Sequence, residues 1–162
     1  MRYWQMSIKE ITIENREKVV SFFKENWGST EMVVSTGIYL CDQLDGFIFE
    51  DNNQIVGLVT YVLKDNEIEV ISLDSLQEGK GIGSSLMEKV EYIAMQKKLY
   101  VVSLVTTNDN LNALRFYQKR NYRITSIIPN GVNKARNLKP SIPLIGHDGI
   151  PLNDELVLKK IL

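Results

Sequence analysis

Cysteine is nearly missing from this chain: Cys41 stands alone. A single thiol excludes an internal disulfide and a cysteine-based metal cluster. As a small, half-buried apolar residue it is not expected to act as a nucleophile. Histidine is equally scarce. His147 is the only one, it lies in a loop-like stretch, and no catalytic role is expected of it. No metal site is expected. There is no lysine or arginine block, and 19 basic against 20 acidic side chains leave a formal net charge of −1. Nucleic acid is therefore not an expected partner, because its binding depends heavily on phosphate neutralisation by basic residues. No apolar run approaches the roughly 18–20 residues that span a bilayer. The first residues, Met-Arg-Tyr-Trp-Gln-Met, lack a signal-peptide pattern. No membrane contact and a cytoplasmic location are the expectations, with a homodimer left open.

What is present suits one domain spanning residues 1–162. At 162 residues the chain is long enough for a sizeable core, and 44% apolar with 24% charged residues is ordinary for a globular protein. Periodicity predicts an α/β (α+β) order. Met6–Ile11 reads as a strand. Glu14–Trp27 reads as a helix with Val19, Val20, Phe23 and Trp27 on one face. Residues 28–44 are less regular, with a short helix near Tyr39–Leu44. Gly46–Glu50 and Gln54–Leu63 are strands joined by an Asp51–Asn53 turn, and Lys64–Glu67 turns into Ile68–Leu73. Ile82, Leu86, Val90 and Ile93 form one helical stripe. Leu99–Thr106 is a nearly continuous apolar run, as a strand buried on both faces should be. Asn108 or Asp109 caps a helix ending near Arg120. Tyr122–Ile128 and Glu155–Ile161 are the last strands.

All four prolines fall between those two strands, at 129, 140, 143 and 151. A connection this long is often functional. A helical turn is expected around Asn133–Leu138. Residues 129–153 are either a surface excursion packing its own apolar residues or part of an acceptor pocket. In the second case Lys134, Arg136 and Lys139 would meet an anionic group on the acceptor.

The densest signal is Glu78-Gly-Lys-Gly-Ile-Gly-Ser84, with glycines at 79, 81 and 83. It follows a strand and opens an amphipathic helix. Glycine lets backbone amides approach a phosphate, and a helix N-terminus adds partial positive charge. The spacing is not that of a P-loop, since Lys80 is not followed by Ser or Thr. Nor is it Gly-x-Gly-x-x-Gly: counting from Gly79 ends on Ser84, and counting from Gly81 ends on Leu86. A nucleotide-binding regulatory domain is disfavoured accordingly.

The loop resembles the pyrophosphate loop of the GNAT acetyltransferases, Gln/Arg-Gly-x-Gly-x-Gly/Ala. About thirty residues on, Asn110, Ala113, Phe116, Tyr117, Lys119 and Tyr122 fall at the spacing of the second GNAT signature. Two positions depart from the pattern: Glu78 stands at Gln/Arg, and Asn121 stands at Gly. The resemblance implies a single GNAT-type domain. Its mixed, mostly antiparallel sheet would have about six or seven strands flanked by helices, splayed between the fourth strand, Ile68–Leu73, and the fifth, Leu99–Thr106. It implies acetyl-CoA as cofactor and a small-molecule or terminal amine as acceptor, acetylated by direct attack on the thioester. A catalytically silent coenzyme A-binding module is the alternative.

The cofactor and thiolate residues follow from the same resemblance, and the candidate bases from the strand itself. Ile71, Ser72 and Leu73 would pair with the pantetheine arm. Gly79, Lys80, Gly81, Ile82, Gly83 and Ser84 would face the pyrophosphate, and Asn110 would contact the cofactor. Tyr117 would hydrogen-bond the departing thiolate, and without the motif it would read as an aromatic packing at helical spacing. Glu69 and Glu67, two apart on one strand face, are the candidate bases, with Glu69 leading. Their alternative is a pair of solvated glutamates beside a turn.

Overall fold

The computed structural model describes residues 6–162. In chain order the elements are strand β1 (Met6–Glu10), helix α1 (Arg16–Trp27), strands β2 (Glu31–Val34), β3 (Gly37–Leu40), β4 (Asp45–Asp51), β5 (Gln54–Leu63) and β6 (Ile68–Ser75), helix α2 (Ile82–Gln96), strand β7 (Val101–Thr107), helix α3 (Leu111–Lys119), strand β8 (Arg123–Ile128), helix α4 (Gly131–Leu138) and strand β9 (Glu155–Ile161). Seven strands form one sheet in the order β1-β4-β5-β6-β7-β9-β8, and β2 and β3 form a separate hairpin. Among the described residues only β6 and β7 pair in parallel. The last strand inserts between β7 and β8, antiparallel to both.

Period-2 alternation gives each central strand two apolar faces. One takes α2, whose Ile82, Leu86, Met87, Val90 and Ala94 pack with Val59, Tyr61, Val70 and Leu104. The other takes α1, whose Val19, Phe22 and Phe23 pack with Ile48, Leu58 and Ile71. Each fully buried Phe or Leu is worth about 1.5–3 kcal/mol over leaving it exposed. Gly28, at φ 75°, closes α1 with its amide on the Lys24 carbonyl. A left-handed turn of this kind is what a glycine at a helix end permits.

The feature that positions the site is where β6 leaves β7. They pair only through Ile68–Val70 against Val102–Leu104, yet β6 runs on to Ser75 and β7 to Thr107. The cause lies on the other edge of β6. Tyr61 pairs with Val70, but Thr60 pairs with Ser72, so Ile71 is an extra residue. A bulge of this kind bends its strand. β7 meanwhile stays fully paired with β9 from Val101 to Thr107. The strands splay, and β6 beyond Val70 keeps a backbone edge unpaired toward β7. These are the fourth and fifth strands of the sequence expectation.

Two sequence expectations are corrected. The short helix expected near Tyr39–Leu44 is only a 3-10 helix at Cys41–Gln43, and Gly37–Leu40 before it is the second strand of a hairpin. Ser35-Thr36-Gly37 is the turn signal, and the β-branched residues on both sides favour strand over so short a helix. The cap of α3 is neither Asn108 nor Asp109 but Asn110, whose side chain accepts from the Ala113 amide at 3.1 Å. Asn108 instead receives the amides of Asn153 and Asp154. Asp109 receives the amide of His147 at 2.8 Å.

The same contacts settle how the proline-containing segment is held. Arg136 donates to the carbonyls of Ile142, Pro143 and Leu152 at 3.0, 2.7 and 2.8 Å. Lys139 Nζ donates to the Glu31 carbonyl at 2.7 Å. Both cations are thus committed to backbone oxygens, which corrects the expectation that they anchor an acceptor anion. Lys134 is exposed. Arg136→Ala is expected to cost about 2 kcal/mol of stability, since charged hydrogen bonds are worth about 1.5–3 kcal/mol each and this guanidinium is partly hydrated. A denaturant melt of the variant measures it, with KM for any acceptor unchanged.

Candidate active site

The glycine turn carries β6 into α2 at the open end of the splay. Gly79 and Gly81 take positive φ, 74° and 71°, a conformation that side chains with a Cβ disfavour. A Cβ added to either would meet nothing within 4 Å, so both face open space. Gly83 answers to packing instead: a Cβ there would lie 3.0 Å from the Phe116 ring. Removing that Cβ lets α2 and α3 approach. Gly81 caps α2 without any side-chain hydrogen bond. The first amides of a helix have no partner within it.

A groove of about 410 Å³ lies here. Leu73, Ser75, Gln77 and Glu78 line it from β6 and the turn, Gly79, Gly81, Ile82, Gly83 and Ser84 from the loop and α2, and Asn112, Ala113, Phe116, Tyr117 and Arg120 from α3. Of the residues predicted for the cofactor, Leu73, Gly79, Gly81, Ile82, Gly83 and Ser84 meet in it, together with Tyr117. Lys80, Ile71, Ser72 and Asn110 do not line it. Lys80 is exposed, and Ile71 packs toward α1. The Ser72 hydroxyl lies 2.5 Å from that of Thr60, and Asn110 is occupied as the helix cap. A larger depression, about 960 Å³, lies at the other end of β6 around Lys64–Glu67. It includes none of the glycine loop or α3.

Besides the acidic Glu78, two residues bear on the groove's charge and proton chemistry, Arg120 and Tyr117. Arg120 stacks over Phe116 with its guanidinium carbon 3.5 Å from the ring centre, and donates to the Phe116 carbonyl and the Ser84 hydroxyl. It brings a fixed cation to the start of α2. Sequence reading missed it, because the second motif assigns its position no role. Tyr117 is 8% exposed, packed edge-on against Phe116 and Tyr122 at 5.2 and 5.8 Å. Burial, reinforced by the Asp74 charge, pushes its phenol well above the ordinary range. It stays protonated through neutral pH and so keeps a proton to donate.

The α1 side of the splay holds the carboxylates. Glu69 is buried with both oxygens engaged: Lys64 Nζ lies 2.8 Å from Oε1, and Thr36 donates to Oε2 at 2.8 Å. Glu67 pairs with Lys159 at 3.2 Å and lines the other depression. Neither glutamate lines the groove, and both precede the point where the strands part. Glu155 is 1% exposed and receives the Ser35 amide. Asp74 was missed by the sequence reading. Trp27 Nε1 donates to its Oδ1 at 3.1 Å, while its Oδ2 is buried with no hydrogen-bond partner. Burial pushes its carboxyl up to about 6, against the opposing effect of the Trp27 bond. Cys41, fully buried, has its thiol pushed up to about 12, chiefly by burial. It is not a nucleophile at neutral pH.

The splayed sheet, the glycine loop at a helix start and a protonated phenol thus meet around one groove. The acetyltransferase (GNAT) family model matches residues 12–122, and the chain belongs to that family. The Bacillus subtilis protein YxbD is 49% identical over 91% of this chain and 93% of its own. Among solved structures, an IAA acetyltransferase from Bacillus cereus superposes with a TM-score of 0.70 at 17% identity, covering 97% of this chain and 99% of that one. A GNAT family acetyltransferase from Elizabethkingia anophelis, solved with acetyl-CoA bound, gives 0.69 at 19% identity, covering 98% and 99%. The chain therefore has the fold that the sequence resemblance implied. Among the described residues no helix is long and apolar enough to cross a membrane.

Proposed function

We propose that this protein is an acetyl-CoA-dependent N-acetyltransferase that acetylates a primary amine by direct attack on the thioester. The observation that carries this is the splay of β6 from β7 opening onto the groove shared by the glycine loop and Tyr117. The residues fit the cofactor. Gly79 and Gly81 leave open space before unpartnered amides of α2, Arg120 adds a cation, and the free edge of β6 can pair with an amide-bearing arm. The bound thioester would supply the activated acetyl group. The chain's own work is then to hold it, to receive the amine on the α1 side, and to hydrogen-bond the leaving sulfur through Tyr117. A phenol is a weak acid beside a thiol, so the bond to the developing thiolate matters more than full proton transfer.

Turnover of acetyl-CoA over a panel of primary amines, followed by free thiol release, tests the proposal. Coenzyme A binding with no amine-dependent thiol release would leave a silent binding module, an alternative to which the acidic Glu78 on the groove wall also points. Arg120→Ala is expected to raise the KM for acetyl-CoA about tenfold, some 1.4 kcal/mol, with kcat little changed. The KM should also depend less steeply on salt than in the wild type.

A further inference from the structure

Resting on that reading, we propose that Asp74 receives the acceptor's ammonium and takes its proton, so that the acceptor is a cationic primary amine entering on the α1 side of the sheet. The placement follows from strand alternation. Leu73 and Ser75 line the groove, so Asp74 between them points to the opposite face. There it meets Trp27 at the end of α1. It lies on the stretch of β6 that has parted from β7, where an acetyl group held in the splay can be reached from that side.

Its availability separates Asp74 from the other acids on this side. Glu69 is taken by Lys64 and Thr36, Glu67 by Lys159, and Glu155 by the Ser35 amide. Asp74 alone of the four keeps an oxygen without a partner. Among the described residues no lysine or arginine forms an ion pair with it. A buried carboxylate oxygen with no donor is costly and needs a reason. An incoming ammonium supplies one.

The groups around it are Trp27 from α1, Leu58 across β5, Cys41 from the turn after β3 and Tyr117 from α3. Only the last two titrate, and burial keeps both neutral through neutral pH. Burial lifts Asp74 itself to about 6. It is therefore ionised at neutral pH and more basic than an ordinary aspartate, as a general base should be.

The proton balance closes. An ammonium carries three N–H protons and the amide product one. One of the two lost passes to Asp74 and then to solvent. As the N–C bond forms and the C–S bond breaks, the other ends on sulfur beside Tyr117.

The experiment compares wild type, Asp74→Asn and Glu69→Gln by kcat/KM for thiol release with primary amines, from about pH 5 to 9. Trp27 fluorescence is titrated in parallel without substrates. Asn keeps an oxygen for the Trp27 indole, so the fold should hold. Below its unfolded pKa Asp74 is protonated in both states. As pH rises past that value toward 6, ionising it in the fold costs stability. Asp74→Asn should therefore melt no lower than wild type at neutral pH.

Wild-type kcat/KM is expected to fall below about pH 6. Asp74→Asn should lower kcat about 10²-fold, abolish that acid limb and spare the KM for acetyl-CoA. The indole signal should titrate near pH 6 in wild type and not in Asp74→Asn. An acid limb that survives in Asp74→Asn, or one removed by Glu69→Gln alone, overturns the proposal. Thiol release with no amine in the panel would instead overturn the acetyl-transfer reading. The fluorescence titration still decides whether Asp74 ionises near neutrality.

Discussion

Tyr117→Phe is expected to lower turnover about 10²–10⁴-fold while leaving the KM for acetyl-CoA unchanged. The substitution removes one oxygen and keeps the ring. The ring's edge-on contacts with Phe116 and Tyr122 therefore persist, and stability should move little. What is lost is the donor at the groove wall. A thiolate expelled into a largely apolar space, with no hydrogen bond, is held far less well than one in water. Burial keeps the phenol protonated well beyond neutrality, so the wild type should show no alkaline limb from this residue near pH 8. Stopped-flow thiol detection under saturating cofactor measures the effect. Wild-type turnover in the phenylalanine variant would leave Tyr117 as a packing aromatic only.

The sequence made the cofactor side of this site readable because the chemistry there rests on backbone. Glycines that need positive φ, as Gly79 and Gly81 do, cannot be replaced cheaply, so they leave a spacing in the chain. The α3 residues Ala113, Phe116 and Tyr117 leave a helical spacing in the same way. The acceptor side is different. The free oxygen of Asp74 exists because Trp27, 47 residues earlier, covers the carboxylate. No local pattern encodes that burial. Glu69 looked like the stronger base because an acid in an apolar strand is unusual. Its partners Lys64 and Thr36 arrive from a turn and from a hairpin whose strands the local pattern obscured.

The basic residues of α4 illustrate the same limit in reverse. Arg136 and Lys139 sit in a long, proline-containing connection, which is where binding residues gather. A cation near a loop meets either a ligand or the loop's own carbonyls, and composition does not distinguish the two. Here carbonyls of the segment take Arg136, and the Glu31 carbonyl takes Lys139. The segment is thereby tied down beside the β2–β3 hairpin.

Gly81→Asp is expected to weaken coenzyme A binding about 10²-fold or more. The position faces open groove, with nothing within 4 Å of an added Cβ, so the carboxylate would project toward the cofactor's phosphates. At about 5 Å and an effective dielectric near 20, two like unit charges repel by about 3 kcal/mol, which is roughly 10²-fold in affinity. A second, uncharged cost must be separated from the first. Gly81 sits at φ 71°, where a side chain costs about 1–2 kcal/mol of backbone strain. Asparagine tolerates that conformation nearly as well as any residue after glycine, and it matches aspartate in shape. An aspartate at this helix start also gains from capping α2 and from its dipole, so the charged variant should fold at least as well as the neutral one. Calorimetric titration with coenzyme A should therefore rank wild type above Gly81→Asn, and Gly81→Asn well above Gly81→Asp. The gap between the two variants should narrow as salt screens the repulsion. Equal affinities for the asparagine and aspartate variants would mean that no phosphate lies over this loop.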